Sequence, residues 1–438
     1  MNSKSTLYKN LALTFSFFVL LSVGLNMIFA RSFVGISVLG LRIGELEVAG
    51  ALLVSIIFLL SSNFFPFSSL DEDFNKYFKL IIISFFVVAL ITQTDLMSTY
   101  AYKSSSYIWT VSFIFFGVFI YKYLNSFLKY FVPFFFIAPL VIYLMASGNY
   151  PNFIMQFFID YSDKFQFLKA SDILIALISS YYFIKISKIG IKYEVAYLFC
   201  FCSIFLPVLM KLSRGSFVGI IIFMLLEAYY QKDYLIKEKK KTLLYFIASL
   251  ILFSLSTYRM TGVELKPETI STQTVVENVE EITRYKDTTK AFFSFYINEY
   301  GYLDSWDATT SWRLDIWQDV LTDMYKENKL FTGYGYIEIL PQMLDPTAPG
   351  RLGRDGLNEH VHNYFVTIIS RGGLVQFVLF LLLHISIFKI WRKNNHNLNI
   401  LSFVAPLLFV SLLDISMDGV QFPLIYFASL GFILSDRN

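Results

Sequence analysis

The clearest chemical signal in this chain is a polar cluster at the threshold of an apolar segment. Residues 358–374 read Asn-Glu-His-Val-His-Asn-Tyr-Phe-Val-Thr-Ile-Ile-Ser-Arg-Gly-Gly-Leu, and two of the four histidines of the chain lie here. Titratable side chains at the edge of a membrane span must be paired, solvated or used. An imidazole with an ordinary pKa near ~6.5 can take a proton from an attacking hydroxyl at neutral pH, an effect typically worth ~10²- to 10⁴-fold in rate. His362 is therefore a candidate general base, with Glu359, His360 and Asn363 as supporting groups. Two other readings compete: a helix-capping histidine, and a metal site built from Asp355, Glu359, His360 and His362. His-x-His spacing suits chelation from a strand better than from a helix, and no metal is expected.

Three arginines could serve that base. Arg214 lies in Leu-Ser-Arg-Gly-Ser, in a short turn between two apolar segments. An arginine at membrane depth costs roughly 2.5 to 3.5 kcal/mol, less near an interface, so it is either snorkelling or bound to something. A guanidinium is permanently charged and matches phosphate oxygens in a bidentate fork, which suits a diphosphate in a partly dehydrated site. Arg313 and Trp317 stand four apart, on one helix face, where the indole can hold the guanidinium against the membrane. An ordinary interfacial Arg-Trp pair fits the same spacing. Arg371 precedes Gly372-Gly373, which marks a break after a short re-entrant helix. There the arginine is either a third phosphate contact or part of close helix packing. Asp414 and Asp418 could orient a base or an acceptor, though solvated loop carboxylates are the better-supported reading. His384 and His396 read as structural or solvated.

The elements that must position these residues follow from composition. With 56% hydrophobic and 16% charged residues, 48 Phe and a mean hydropathy of +0.56, the 438-residue chain has more apolar surface than a soluble domain can bury. An all-α polytopic membrane protein is predicted. The formal charge of +3 is scattered between apolar segments, which excludes nucleic acid as partner. Cys200 and Cys202 share one apolar segment and point to different helix sides, so they read as packing residues. About twelve spans of ~20 residues can be drawn, near 11–30, 45–63, 79–95, 106–121, 130–146, 170–185, 194–210, 215–230, 242–257, 372–390, 399–413 and 420–434. With the N-terminus inside, every inside connection is basic: Lys76 and Lys79, Lys122 and Lys129, Lys185 to Lys192, Lys232 to Lys241, and Lys389 to Lys393. The positive-inside rule then places both termini in the cytoplasm and the long loop outside.

Three regions result. Residues 1–257 form a bundle of about nine spans, 258–361 a loop domain, and 362–438 about three further spans, with the re-entrant helix at 362–371. Phe153, Phe157, Phe165 and Phe167 make the segment 149–169 an interfacial shelf. In the loop, Pro267 and the acidic run Glu277, Glu280 and Glu281 carry no assigned chemistry. An amphipathic helix is expected over 312–328 with Ser311 as N-cap. Gly333-Tyr334-Gly335 then makes a tight turn, and Pro341, Pro346, Pro349, Gly350, Gly353 and Gly356 carry the chain irregularly to His360.

These motifs in this order resemble the O-antigen ligase and O-antigen polymerase superfamily of bacterial envelope proteins. The elements that carry the resemblance are Leu-Ser-Arg-Gly-Ser at 212–216, Arg313-x3-Trp317, the turn at 333–335, and His362-Asn363 followed by Gly372-Gly373-Leu374. Trp317 stands where ligases typically have Leu, and Gln376 where they prefer Gly, Thr or Tyr. The resemblance implies a GT-C-like glycosyltransferase of the bacterial inner membrane, with the long loop between the ninth and tenth spans. Working without metal or other cofactor, it moves a glycan from undecaprenyl diphosphate to an acceptor sugar hydroxyl on the periplasmic side. In that family Arg214 and Arg313 would bind the diphosphate and His362 would activate the acceptor. Polymerase is the preferred reading. Alternatives are a ligase to the lipid A core, an O-oligosaccharyltransferase to protein, and, more distantly, a flippase of the same lipid-linked sugar. Membrane lipids are partners, and the resemblance also admits a chain-length regulator.

Overall fold

A computed structural model describes residues 3–60, 70, 72–146, 151–164, 169–260, 295–348, 351 and 359–436. Phe165, Phe167, Pro267, the acidic run Glu277 to Glu281, Pro349, Gly350, Gly353, Asp355 and Gly356 lie outside the described residues. The chain is an all-α membrane protein in which helices alternate with short connections. The principal helices are α1 (Ser3–Phe29), α2 (Ile43–Leu60), α3 (Glu72–Ile91), α4 (Ile114–Leu124), α5 (Leu128–Ala146), α6 (Asn152–Tyr161), α7 (Ala170–Ile186), α8 (Ile191–Leu212), α9 (Arg214–Tyr230), α10 (Lys239–Met260), α11 (Ala308–Lys326), α12 (Tyr364–Asn395), α13 (Leu401–Ser411) and α14 (Gln421–Ser435). Among the described residues, six helical stretches are long and apolar enough to cross a membrane: 9–29, 72–91, 106–141, 191–212, 239–258 and 364–395. Each predicted segment overlaps a helix among the described residues, but only six helical stretches have the length and apolarity of a span, so twelve spans are not established.

Two antiparallel hairpins, Ser37–Val38 with Leu41–Arg42 and Phe295–Ile297 with Leu303–Ser305, are the paired strands among the described residues. Both sit in connections, where the apolar run is interrupted and backbone groups pair locally.

The core follows from the all-round apolarity of α7 and α14, since a helix hydrophobic on every side has to be surrounded by others. Every residue of α14 is buried. It crosses α4 where a Cβ on Gly117 would stand 1.8 Å from the Ala428 carbonyl oxygen, so the two backbones meet at a contact only a small residue permits. Stacked rings of Phe135 and Phe183, 4.5 Å apart, tie α5 to α7. The α6 helix leaves Phe153, Phe157, Ile159 and Tyr161 exposed while burying Phe158, as an interfacial shelf would.

A smaller core holds the functional end together. Ile316, Val320 and Met324 from the apolar stripe of α11 pack with Tyr334, Leu340 and Met343 of the following loop and with Val361 and Val366. The stripe was legible from its spacing, but the helix begins at Ala308, four residues before the expected start. Its N-cap is Asp307, whose carboxylate accepts from Thr310 N at 3.0 Å and the Thr310 hydroxyl at 2.7 Å; Ser311 lies inside the first turn.

Helix α12 starts at Tyr364 under the Asn363 cap, and its regular backbone breaks at Gly373 (φ 73°, ψ 178°). The break releases carbonyls that a continuous helix would occupy. Ser370 and Arg371 carbonyls accept from Tyr334 N (2.8 Å) and Gly335 N (3.0 Å), while Leu374 N donates to the Leu330 carbonyl at 2.9 Å. The turn at Gly333-Tyr334-Gly335 is thus docked by backbone hydrogen bonds onto the broken helix.

Candidate active site

His362 takes its place from both sides of the chain. Its backbone is left-handed (φ 56°), an uncommon conformation for a non-glycine residue. The conformation is held from both neighbours. Before it, Trp317 Nε1 donates to the Val361 carbonyl at 2.6 Å. After it, Asn363 caps α12, its side-chain oxygen accepting from Phe365 N at 2.9 Å and Val366 N at 3.1 Å. The capping function predicted as a competing role for His362 therefore belongs to Asn363. The imidazole meets Trp312 edge to face with ring centres 5.0 Å apart.

Trp317 sits on the expected face of α11, but its indole is engaged with the Val361 carbonyl, and a stacking contact with Arg313 is not among the cation–π pairs of the described residues. A buried indole N–H needs an acceptor more than a guanidinium needs a ring. Trp317 consequently supports the segment that carries His362.

Arg313 projects from α11 into the same space. Its Nε is buried with no hydrogen-bond partner among the described residues. Burial lowers its pKa, against the opposing pull of Asp414 and Asp307. Arg214 opens α9 under the Ser213 cap, with a guanidinium nitrogen 3.7 Å from Asp307, the residue that caps α11. Asp307 thus links both arginine-bearing helices, a connection the sequence reading missed although Asp-x-x-Thr before an amphipathic stretch is a capping signal.

Two further cations of this neighbourhood were also missed. Arg31 donates to the Ile415 carbonyl at 3.3 Å. Lys169, just before α7, has its pKa lowered by burial and then by Arg31, with Asp414 opposing and Arg313 adding to the lowering. Asp414 is held by the Ser171 hydroxyl at 2.8 Å. No pattern near Arg31 or Lys169 announces them, because the groups that gather them come from the other end of the chain.

The imidazole of His362 is pushed down to about 4, chiefly by burial, then by Arg313 and His360; Asp414 and Asp418 pull the other way. It is neutral at physiological pH and able to accept a proton. Arg313 and Asp414 belong to the arginine cluster, His360 and Asp418 to a second group. His360 Nδ1 lies 3.3 Å from Asp418, and Thr367 Oγ1 donates to the same carboxylate at 3.4 Å.

Glu359 pairs with Lys103 at 2.7 Å. Arg371 is buried, and its guanidinium donates to the Ile337 carbonyl and, at 3.1 Å, to that of Glu338. It fixes the docked loop from below. Gln376 joins α12 to three other segments, donating to Ser84 at 3.0 Å and Tyr336 at 2.7 Å and accepting from Tyr107 at 2.5 Å. Of the predicted residues, Arg214 and Arg313 share Asp307 as a neighbouring carboxylate and His362 feels the Arg313 charge, while Glu359, His360 and Arg371 line a recess together with Asp418. Among the described residues no group of three or more His, Cys, Asp or Glu side chains is arranged to hold a metal ion.

No curated protein matches the sequence. A family model described as O-antigen ligase matches residues 198–381, the segment that contains Arg214, Arg313, His362 and Arg371. Over that segment the chain is similar to the O-antigen ligases.

Proposed function

We propose that the protein is a metal-independent glycosyltransferase of the bacterial inner membrane that moves an oligosaccharide from undecaprenyl diphosphate to a sugar hydroxyl on the periplasmic side, acting as a surface-polysaccharide polymerase. The observation that carries the reading is a half-buried arginine, Arg313, whose buried Nε has no hydrogen-bond partner among the described residues and whose charge acts on a histidine held neutral. A buried donor without a partner costs about 1 to 3 kcal/mol, which an incoming phosphate oxygen would relieve.

In this mechanism the acceptor hydroxyl attacks the anomeric carbon of the donor. The new glycosidic C–O bond forms as the bond to the diphosphate breaks, the hydroxyl proton passes to His362, and the electron pair leaves on the diphosphate. Arg214 and Arg313, with Lys169 and Arg31 nearby, stabilise that leaving charge. Bound diphosphate would also offset the Arg313 charge felt by His362 and raise its basicity when the donor is in place. Arg371, committed to two loop carbonyls, serves as a positioning residue.

The polymerase reading takes the acceptor to be another carrier-linked repeat unit; Trp317 and Gln376 depart from the ligase pattern, which counts against a ligase without establishing a polymerase. A ligase to the lipid A core is the second reading, favoured by the description of the matching family model. The test is the size of the glycan on undecaprenyl diphosphate in cells lacking the protein and in cells carrying His362→Ala. Single repeat units in both support the polymerase. Long polymers retained on the carrier would make the protein a ligase.

A further inference from the structure

Residues 359–361 border a partly enclosed recess of about 430 Å³, counting the part open to solvent. Its lining includes Tyr100, Ser106, Glu338, Glu359, His360 and Asp418. Lys103 and Arg371 also border it, so three carboxylates face two permanent cations. Both cations are already engaged, Lys103 with Glu359 and Arg371 with backbone carbonyls.

Asp418 is the telling residue. Its side chain is 5% exposed, Oδ2 takes His360 and Thr367, and Oδ1 is buried without a hydrogen-bond partner among the described residues. A desolvated carboxylate oxygen lacking a donor asks for one from a ligand. Tyr100 and Glu338 both line the recess, the carboxylate pushing the Tyr100 pKa up, and the Ser106 hydroxyl donates to the Asp418 carbonyl at 2.9 Å. The recess is therefore rich in oxygen acceptors and short of free positive charge. His362 lies two residues beyond His360 in the chain, and both His360 and Asp418 of this recess act on its charge.

We propose that this recess is the subsite for the terminal sugar of the acceptor, and that it takes a neutral, hydroxyl-rich pyranose whose hydroxyls donate to Asp418 Oδ1 and to Glu338. The proposal rests on the transferase reading above for its role in catalysis, though not for the binding itself. Hydroxyl donation to carboxylates is charge-assisted and strong. A uronic acid or a phosphorylated sugar would set its own anion against three carboxylates and find no uncommitted cation.

The test uses the full-length protein in lipid nanodiscs with two readouts. In the first, saturation-transfer NMR measures binding of methyl glycosides of glucose, galactose and N-acetylglucosamine, each beside a methyl uronate, to wild type and to Glu338→Gln and Tyr100→Phe. At least one neutral glycoside should bind, its uronate at least tenfold more weakly, and the variants should weaken the neutral ligand several-fold without altering thermal unfolding. Absence of binding by all the neutral glycosides, equal binding of the uronates, or variants that bind like wild type would overturn the subsite. In the second, glycan transfer from a synthetic lipid diphosphate donor is followed at varied acceptor. The same variants should raise the acceptor KM about tenfold, as a loss of ~1.4 kcal/mol implies, and leave the donor KM unchanged. Transfer that fails with wild type while glycosides still bind would sink the transferase reading and spare the subsite; a raised donor KM with unchanged acceptor KM would sink the subsite and spare the transferase.

Discussion

His362 works against its surroundings, and that gives its protonation a measurable signature. Burial and Arg313 depress the imidazole to about 4, so the neutral, proton-accepting form persists as pH falls and is lost only on passing through that value. The acid limb of kcat/KM, which reports the free enzyme, should lie near 4 and not near the ordinary ~6.5 of histidine. Arg313→Gln removes a positive charge that disfavours the imidazolium, so the limb should move to higher pH while kcat falls on the order of 10²-fold through loss of leaving-group stabilisation. A limb that stays fixed in Arg313→Gln would separate the two residues functionally. Arg313→Lys should also lose much of the rate, because an ammonium cannot offer the two-pronged fork. Trp317→Phe tests the neighbouring contact. It keeps an aromatic ring against the small core but removes the hydrogen bond to the Val361 carbonyl, worth about 0.5 to 1.5 kcal/mol. A drop of several-fold in kcat with donor KM unchanged is expected from steady-state kinetics. What was legible at this scale were residues whose chemistry is declared by type and local spacing: an isolated His-Asn at a helix start, Arg-x3-Trp on one face. Arg31, Lys169 and Asp307 were not, since a cation looks solvated until a distant segment closes over it, and Asp307 acts through Arg214, more than ninety residues away in the chain.

The element that matters most is the broken helix α12, because one backbone irregularity serves two purposes. Its kink frees carbonyls for the 333–335 turn, and the docked turn in turn places Tyr336 on Gln376 and the Ile337 and Glu338 carbonyls on Arg371. Gly373→Ala attacks this arrangement directly. A Cβ there would sit 2.1 Å from the Phe331 carbonyl oxygen, and the left-handed backbone adds about 1 to 3 kcal/mol of strain. Lowered thermal stability and a lost donor-dependent rate should appear together. The break was readable from Gly372-Gly373 in the sequence. What the break is for was not, because the acceptors it exposes are satisfied by a loop some forty residues earlier, and hydrogen bonds between irregular segments leave no periodic trace. The early start of α11 has the same origin: hydrophobic spacing reports where a helix touches its neighbours, and the uncontacted first turn is set by a cap.

Across the whole molecule, α9 joins two polar assemblies at opposite ends. Arg214 stands at its first residue, and Glu227, fully buried, lies thirteen residues on, about 20 Å away along a helix. Glu227 accepts from Tyr181 at 2.6 Å, Tyr182 at 3.1 Å, Lys185 at 2.9 Å and Ser402, and so ties α7, α9 and α13 together. The cluster's contribution is to hold α7, α9 and α13 together, and α9 carries Arg214 at its start. Glu227→Gln leaves Lys185 without its counter-charge and the tyrosines with a weaker acceptor. Breaking a buried pair from one side costs about 3 to 5 kcal/mol, and since Lys185 is 24% exposed and can turn toward water, a loss nearer ~2 kcal/mol is expected. Thermal unfolding in nanodiscs should therefore shift down, whereas kcat of the protein that remains folded should match wild type, because His362, Arg313 and Arg214 keep their surroundings. Adding Lys185→Met to Glu227→Gln should recover part of the stability, since the uncompensated charge goes with it. A drop in kcat with stability intact would instead mean that the two ends of α9 are coupled.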